Sequence, residues 1–279
     1  MQIIQRSNNR HKLIQFCPLF LYLFLGIMNL PAQTLIISDD FESGQTSLWS
    51  DFASVRISDE LPKGGVYSAR FRFNGVPEGE DSWAEARFDL GGYYEELSIK
   101  FDLYIPENYV HRANNAGQGW ANNKFFRLWT DTYSDLEKVG ATMYNQFDNG
   151  NSTTGNNTYA SSIGNDYRTQ ASNGMSSSVT TAANFITLEG DRGKWMSVVI
   201  YIKASTDSSP AEFSLYKNGQ LFLATTFNNN WVPGTQGYRK GYLLGWANSG
   251  FTEETILYID NVEFYDGFII GAIFSNGFE

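Results

Sequence analysis

From residue 33 onward apolar and polar positions alternate in short runs, and no segment carries a helical repeat. In "LSIKFDLYI", Leu97, Ile99, Phe101, Leu103 and Ile105 fall on one side and Ser98, Lys100, Asp102 and Tyr104 on the other. In "SARFRF", Arg70 and Arg72 face away from Ala69, Phe71 and Phe73. Eleven such runs, bounded by Gly, Asn, Asp and Pro, read as strands: "TLIIS", "VYSARFRF", "WAEARFDL", "LSIKFDLYI", "KFFRLWT", "ATMYNQF", "WMSVVIYIKA", "AEFSLYK", "QLFLATTF", "GYLLGWA" and "ILYIDNVEFYD". Asn218-Gly219 predicts a tight hairpin between the eighth and ninth of these. Many strands without helices predict an all-β fold, an antiparallel β-sandwich or jelly roll, as one domain over residues 33–266.

"NNKFFRLWTD", Asn122 to Asp131, leaves one choice open. Either Phe126 and Leu128 face the core and Arg127 shares the other face with Trp129, or Phe125 and Trp129 are core and Arg127 meets a buried acid such as Glu85. The first arrangement suits a sugar, because a pyranose stacks on the indole while the cation takes hydroxyls or a carboxylate.

Two segments break the β pattern. Residues 1–32 join a basic head (Arg6, Arg10, Lys12) to the apolar run Leu13–Met28 and a small residue, Ala32, as a secretory signal peptide does. The run falls short of the ~20 residues of a membrane span. Export is therefore expected, to the outside of a bacterial cell, with no membrane attachment after cleavage. From Asp148 to Asn184 the chain is mostly Asn, Ser, Thr and Gly, which predicts a long polar loop, either an insertion or a wall beside a cleft.

Composition narrows the chemistry. The single cysteine, Cys17, lies within residues 1–32, so the mature chain has no disulfide, cysteine nucleophile or Cys-ligated zinc. The net charge is −10, and −13 without the three cations of residues 1–32. Such a charge excludes nucleic acid and anionic membranes as partners held by bulk attraction. A monomer that engages an extracellular polysaccharide, acidic if the cations cluster, is expected.

Three stretches point to a known architecture. "DDFESGQTSLWSD" at the mature start, "GKWMSVVIYIKASTDSSPAEFSLYKNGQLF" with its tryptophan-led strand and Asn-Gly hairpin, and the final "LYIDNVEFYDG" resemble secreted concanavalin A-like jelly rolls of the lectin/glucanase superfamily. That resemblance implies a strand order in which the last strand returns beside the first. "WAEARFDL" followed by "LSIKFDLYIPENY" is similar to the polysaccharide lyases of this fold, of alginate and heparin lyase type, whose corresponding strand reads R-x-E-x-R. Here Trp83 replaces the first arginine. Where those enzymes carry Y-x-K-x-G, "YLLGWAN" offers Tyr242 without the lysine, and "YNQFD" stands in for their Q-x-H with Tyr144 and Gln146.

The resemblance implies β-elimination from a uronate. That reaction needs a cation or amide to neutralise the carboxylate, a base for the C5 proton and an acid for the leaving oxygen. The candidates are Arg127 and Gln146 at the carboxylate, with Tyr144 or His111 in proton transfer. Arg87, Glu85, Trp129, Lys124, Tyr242 and Trp246 are candidates for holding substrate. His111 sits in a Gly/Asn-rich loop, where a solvated histidine is the plainer reading. The superfamily also holds lectins and structural modules, so a non-catalytic glycan-binding or adhesive sandwich stands beside the lyase. Paired-carboxylate hydrolysis ranks below both, because no E-x-D-x-E strand is present.

No cofactor is required. A structural Ca²⁺ is the one ion expected, at Asp39, Asp40, Glu42 and Asp260, if the first and last strands pair. Trp195, heading its strand, is expected in the core. Residues 267–279 read as a tail, either a sorting tag or an extra edge strand.

Overall fold

A computed structural model describes residues 33–46, 48–112, 121–129, 141–146, 161–165, 185–187, 190–204, 209, 211–227 and 237–269. For 50–52, 141–146, 161–165, 225 and 227 the description covers the backbone alone. The expected leader at 1–32, with Cys17, lies outside it, as does the end of the tail.

Fourteen strands run in the order β1 (Thr34–Asp39), β2 (Trp49–Ala53), β3 (Val55–Ser58), β4 (Ser68–Phe73), β5 (Ser82–Tyr94), β6 (Glu96–Ile105), β7 (Asn122–Trp129), β8 (Ala141–Gln146), β9 (Ser161–Asn165), β10 (Lys194–Lys203), β11 (Ala211–Lys217), β12 (Gln220–Phe227), β13 (Tyr238–Asn248) and β14 (Thr255–Asp266). All eleven predicted strands are present; β2, β3 and β9 are additions. Every strand pair is antiparallel. One sheet has the order β12-β11-β10-β6-β14-β4-β3, with β1 also paired to β14, and the other β2-β5-β13-β7-β8-β9. The molecule is an antiparallel sandwich with a jelly-roll arrangement, and its last strand lies beside its first. No described helix is long and apolar enough to cross a membrane.

The alternation in β6 is realised as read. Leu97, Ile99, Phe101, Leu103 and Ile105 are fully enclosed between the sheets with Val198, Ile200 and Ile202 of β10. The facing sheet contributes Ala84, Ala86 and Phe88 of β5. Phe88 and Phe264 of β14 meet across the interior with ring centroids 4.6 Å apart. Asn218 and Gly219 close the β11–β12 hairpin at φ of 50° and 75°, the positive angles a two-residue primed turn demands.

Three expectations change. Residues 161–165, inside the predicted polar loop, form β9 and pair with β8. Trp195 is not core: it lies opposite Tyr104 on the outer face of the larger sheet, rings 5.7 Å apart, while its neighbour Met196 enters the interior. Lys124–Trp129 is not a plain alternating strand, because the β7–β8 register slips between Lys124 and Phe126. Phe125 is the extra residue of a bulge, which lets both Phe125 and Phe126 face the core.

Candidate functional site

The bulge settles where Arg127 points. Beyond it Phe126 and Leu128 belong to the enclosed core, so Arg127 and Trp129 lie on the outer face of the smaller sheet. Residues directly opposite in an antiparallel pair share a face. β13 sets Tyr242 opposite Arg127 on one side and opposite Arg87 of β5 on the other. A phenol thus stands between two guanidinium-bearing positions on three adjacent strands. The same face holds Trp83, Glu85 and Asp89 along β5, Lys240 and Trp246 along β13, and Asn122 and Lys124 along β7.

This face is not uniformly open. Tyr242 and Glu85 are 0% exposed, Arg127 6% and Trp129 7%, whereas the Arg87 side chain is 33% exposed. Trp129 meets Tyr242 edge-on, centroids 5.9 Å apart. Gly245, at φ of 148°, leaves room for that phenol: a methyl group there would fall 2.5 Å from the Tyr242 ring.

Charges along β5 are paired. Arg87 Nε donates to Glu85 Oε1, while Glu85 Oε2, fully buried, accepts no hydrogen bond among the described residues. Burying a carboxylate oxygen without a donor is costly, and such groups concentrate at functional sites. Burial pushes the Asp89 carboxyl up, but Arg239, at 2.8 Å, the Gly91 amide and Lys240 together hold it below its ordinary value. Lys124 Nζ donates to Asn122 Oδ1 at 3.0 Å and Asn248 Oδ1 at 2.5 Å.

The other candidates fall in different places. His111 is neither solvated nor on the outer face. It is fully buried, its ring meets Phe251 edge-on at 5.0 Å, and Nδ1 lies 2.7 Å from the Arg112 carbonyl oxygen. Burial lowers its pKa to about 3, with Arg112 and Lys124 adding repulsion, so the imidazole is neutral and enclosed. That environment opposes proton transfer with a glycan on the sheet face. Tyr144 and Gln146 are opposite Lys124 and Asn122 in the β8 register, and their side chains lie outside the description.

The four expected calcium carboxylates do not form a shared cage, and no group of three or more candidate metal-binding side chains converges among the described residues. Each anchors backbone instead. Asp39 accepts from the Phe41 amide and Trp49 Nε1, both at 2.8 Å, and Asp40 from the Glu42 amide at 3.1 Å. Glu42 takes the Val66 and Tyr67 amides at 2.8–3.0 Å, and Asp260 the Lys63 amide at 2.8 Å. Burial raises the Asp39 and Asp260 carboxyls above their ordinary values. The acidic opening motif is thus explained as loop anchoring.

The sequence reading missed Trp83 as a contact residue. It was legible as the position two before Glu85 in the same alternation, hence on the face of Arg87. In the structure it stacks on Trp246, opposite it in the register, with centroids 5.7 Å apart and planes inclined by 19°.

No protein-family model matches the chain, and no curated protein matches it in sequence. Solved structures do share its fold. An endo-β-1,4-glucuronan lyase from the fungus Trichoderma reesei superposes with a TM-score of 0.58 at 15% identity, over 83% of this chain and 95% of that one. The alginate lyase Aly36B gives 0.52 at 13% identity, over 84% and 96%, and the alginate lyase vAL-1 from Chlorella virus 0.52 at 10%, over 84% and 100%. The jelly roll is therefore of the type that polysaccharide lyases use.

Proposed function

We propose that the chain is an exported polysaccharide lyase-like enzyme that cleaves a uronate-containing glycan by β-elimination. The observation carrying this reading is the row Arg87–Tyr242–Arg127 across β5, β13 and β7. The activities of the structural neighbours, glucuronan lyase and alginate lyase, support the same class.

In this reading Arg87 and Arg127 receive the uronate carboxylate, and the withdrawal of charge acidifies the C5 proton. Tyr144, on the neighbouring strand β8, works in proton transfer, and Tyr242, enclosed between the two guanidinium-bearing positions, holds them in place. The C5–H bond breaks, the C4–C5 double bond forms, and the C4–O bond to the leaving sugar breaks as its oxygen gains a proton. Glu85 orients Arg87. Lys124 and Asn122, opposite Tyr144 and Gln146 on β8, extend the polar face to the neighbouring sugar. No cofactor takes part in these steps.

The test follows absorbance of the new double bond with glucuronan, alginate and heparin-type chains. One of them should yield product. Arg127→Ala should lower kcat/KM by about 10²–10³, the scale of losing one preorganised charge-stabilising group, and Tyr144→Phe by a similar factor. A loss in Tyr242→Phe but not in Tyr144→Phe moves the proton transfer to β13. Binding without elimination on all three chains overturns the enzyme and leaves a glycan-binding module.

A further inference from the structure

Trp83 and Trp246 lie opposite each other on β5 and β13 with nearly parallel rings, and remain 38% and 37% exposed. Two large aromatics that served only to seal a sheet would be buried, because each indole left in water forgoes the gain of covering its apolar surface. A cross-strand aromatic pair contributes about 0.2–1 kcal/mol to a sheet, which does not require that exposure.

Their surroundings point to a ligand. The pair sits on the outer face of β5 before Glu85 and Arg87, four residues and about 13 Å from Arg87 at strand spacing. Its rim is polar and held in place. Asn248 Nδ2 donates to Asp81 Oδ2 at 2.8 Å, the Ser249 amide to Asp81 Oδ1 at 2.9 Å, and Lys124 Nζ to Asn248 Oδ1. Flat apolar rings bordered by fixed amide, carboxylate and ammonium groups suit a pyranose, which offers an apolar C–H face and a belt of hydroxyls.

We infer that Trp83 and Trp246 form a stacking subsite for a β-linked, gluco-configured pyranose of the glycan chain that lies along this face. In that configuration the ring substituents are equatorial, so one face presents only C–H groups to the indoles. A ring with axial oxygens on both faces, as in α-linked guluronate, would hold a polar group against the aromatic surface whichever way it stacked, and leave it unsolvated. Recognition here reads ring shape, while Arg87 and Arg127 read the carboxylate. The inference extends the proposed function to substrate choice and rests on that reading for the position of the reacting sugar, but stacking itself needs no elimination.

The experiment titrates wild type, Trp83→Leu and Trp246→Leu with cellohexaose, a neutral chain of the same ring shape, and with guluronan oligomers, using calorimetry. Leucine keeps apolar cover on the strand and removes the flat ring; thermal midpoints confirm that each variant is folded. Wild type should bind cellohexaose with an affinity insensitive to salt, and each variant at least tenfold more weakly. Guluronan should gain nothing from the two tryptophans. Equal cellohexaose affinity in wild type and folded variants, or equal losses for both sugars, overturns the subsite. Cellohexaose binding in a protein that eliminates no uronate retains the subsite and rejects the lyase; elimination with variants indistinguishable from wild type does the reverse.

Discussion

Burial of the His111 imidazole decides how the native protein answers acid. Its pKa in the fold is about 3, against an ordinary 6.5, chiefly because burial excludes water, with Arg112 and Lys124 opposing a further positive charge. Above pH 6.5 the ring is neutral in folded and unfolded chains, and its contribution to stability is fully present. Below that, the unfolded chain takes up a proton that the native state refuses, so stability falls by about 1.4 kcal/mol per pH unit until the folded ring titrates. The raised carboxyls of Asp39, Asp102 and Asp260 act in the opposite sense, being protonated more readily in the fold. Comparing His111→Gln with wild type cancels them. The variant should lose less of its thermal midpoint between pH 6 and pH 4; parallel curves would show the ring protonated in the fold. Nothing in "ENYVHRA" announced this, because burial of a loop histidine depends on Phe251, which arrives from 140 positions along the chain.

Strand positions were legible wherever local pattern and tertiary demand coincide, as in β6 and in the Asn218-Gly219 turn. They were illegible where one residue changes the geometry. Between β2 and β3 only Ser54 intervenes, at φ of 57°, and there the chain passes from the smaller sheet to the larger. "SSIGN" is too polar to read as a strand, yet it pairs along the edge beyond β8. At Phe125 the two adjacent phenylalanines conceal a bulge, so alternation alone could not decide between the two faces for Arg127. The candidate site was legible as a residue set, but its central row was not, since the cross-strand register of Tyr242 is set by bulges in β7 and β13. Gly241 is where that register is most exposed to test. A methyl group there would fall 2.4 Å from both the Arg127 carbonyl oxygen and the Phe88 ring. Gly241→Ala should therefore destabilise the protein by about 1–3 kcal/mol, as overpacking does, and displace Arg127 from Tyr242. Gly64→Ala, where the added methyl meets nothing within 4 Å, is the control and should stay within about 0.5 kcal/mol of wild type. Equal denaturation midpoints for the two variants would show that β7 and β13 have slack at the row.

At the scale of the whole molecule the acidic balance and the cationic row oppose each other. The chain carries 30 acidic against 20 basic side chains, so a polyuronate approaching the sheet meets long-range repulsion before it meets Arg87 and Arg127. The two fields differ in reach. At 0.01 M salt the screening length is ~30 Å and repulsion from the whole surface is felt; at 0.1 M it is ~10 Å, and the charges nearest the bound sugar dominate. The rate with an acidic glycan at low substrate concentration should therefore rise as salt goes from 0.01 to 0.1 M, then fall once screening reaches the direct contacts. A basic glycan binder would show only the fall. For cellohexaose the same titration should be flat, because the Trp83–Trp246 pair meets no charge on that ligand. A rate with uronate that falls from the lowest salt onward would mean that the cations of the face outweigh the surrounding acids even at long range, and the expectation drawn from net charge would then be wrong.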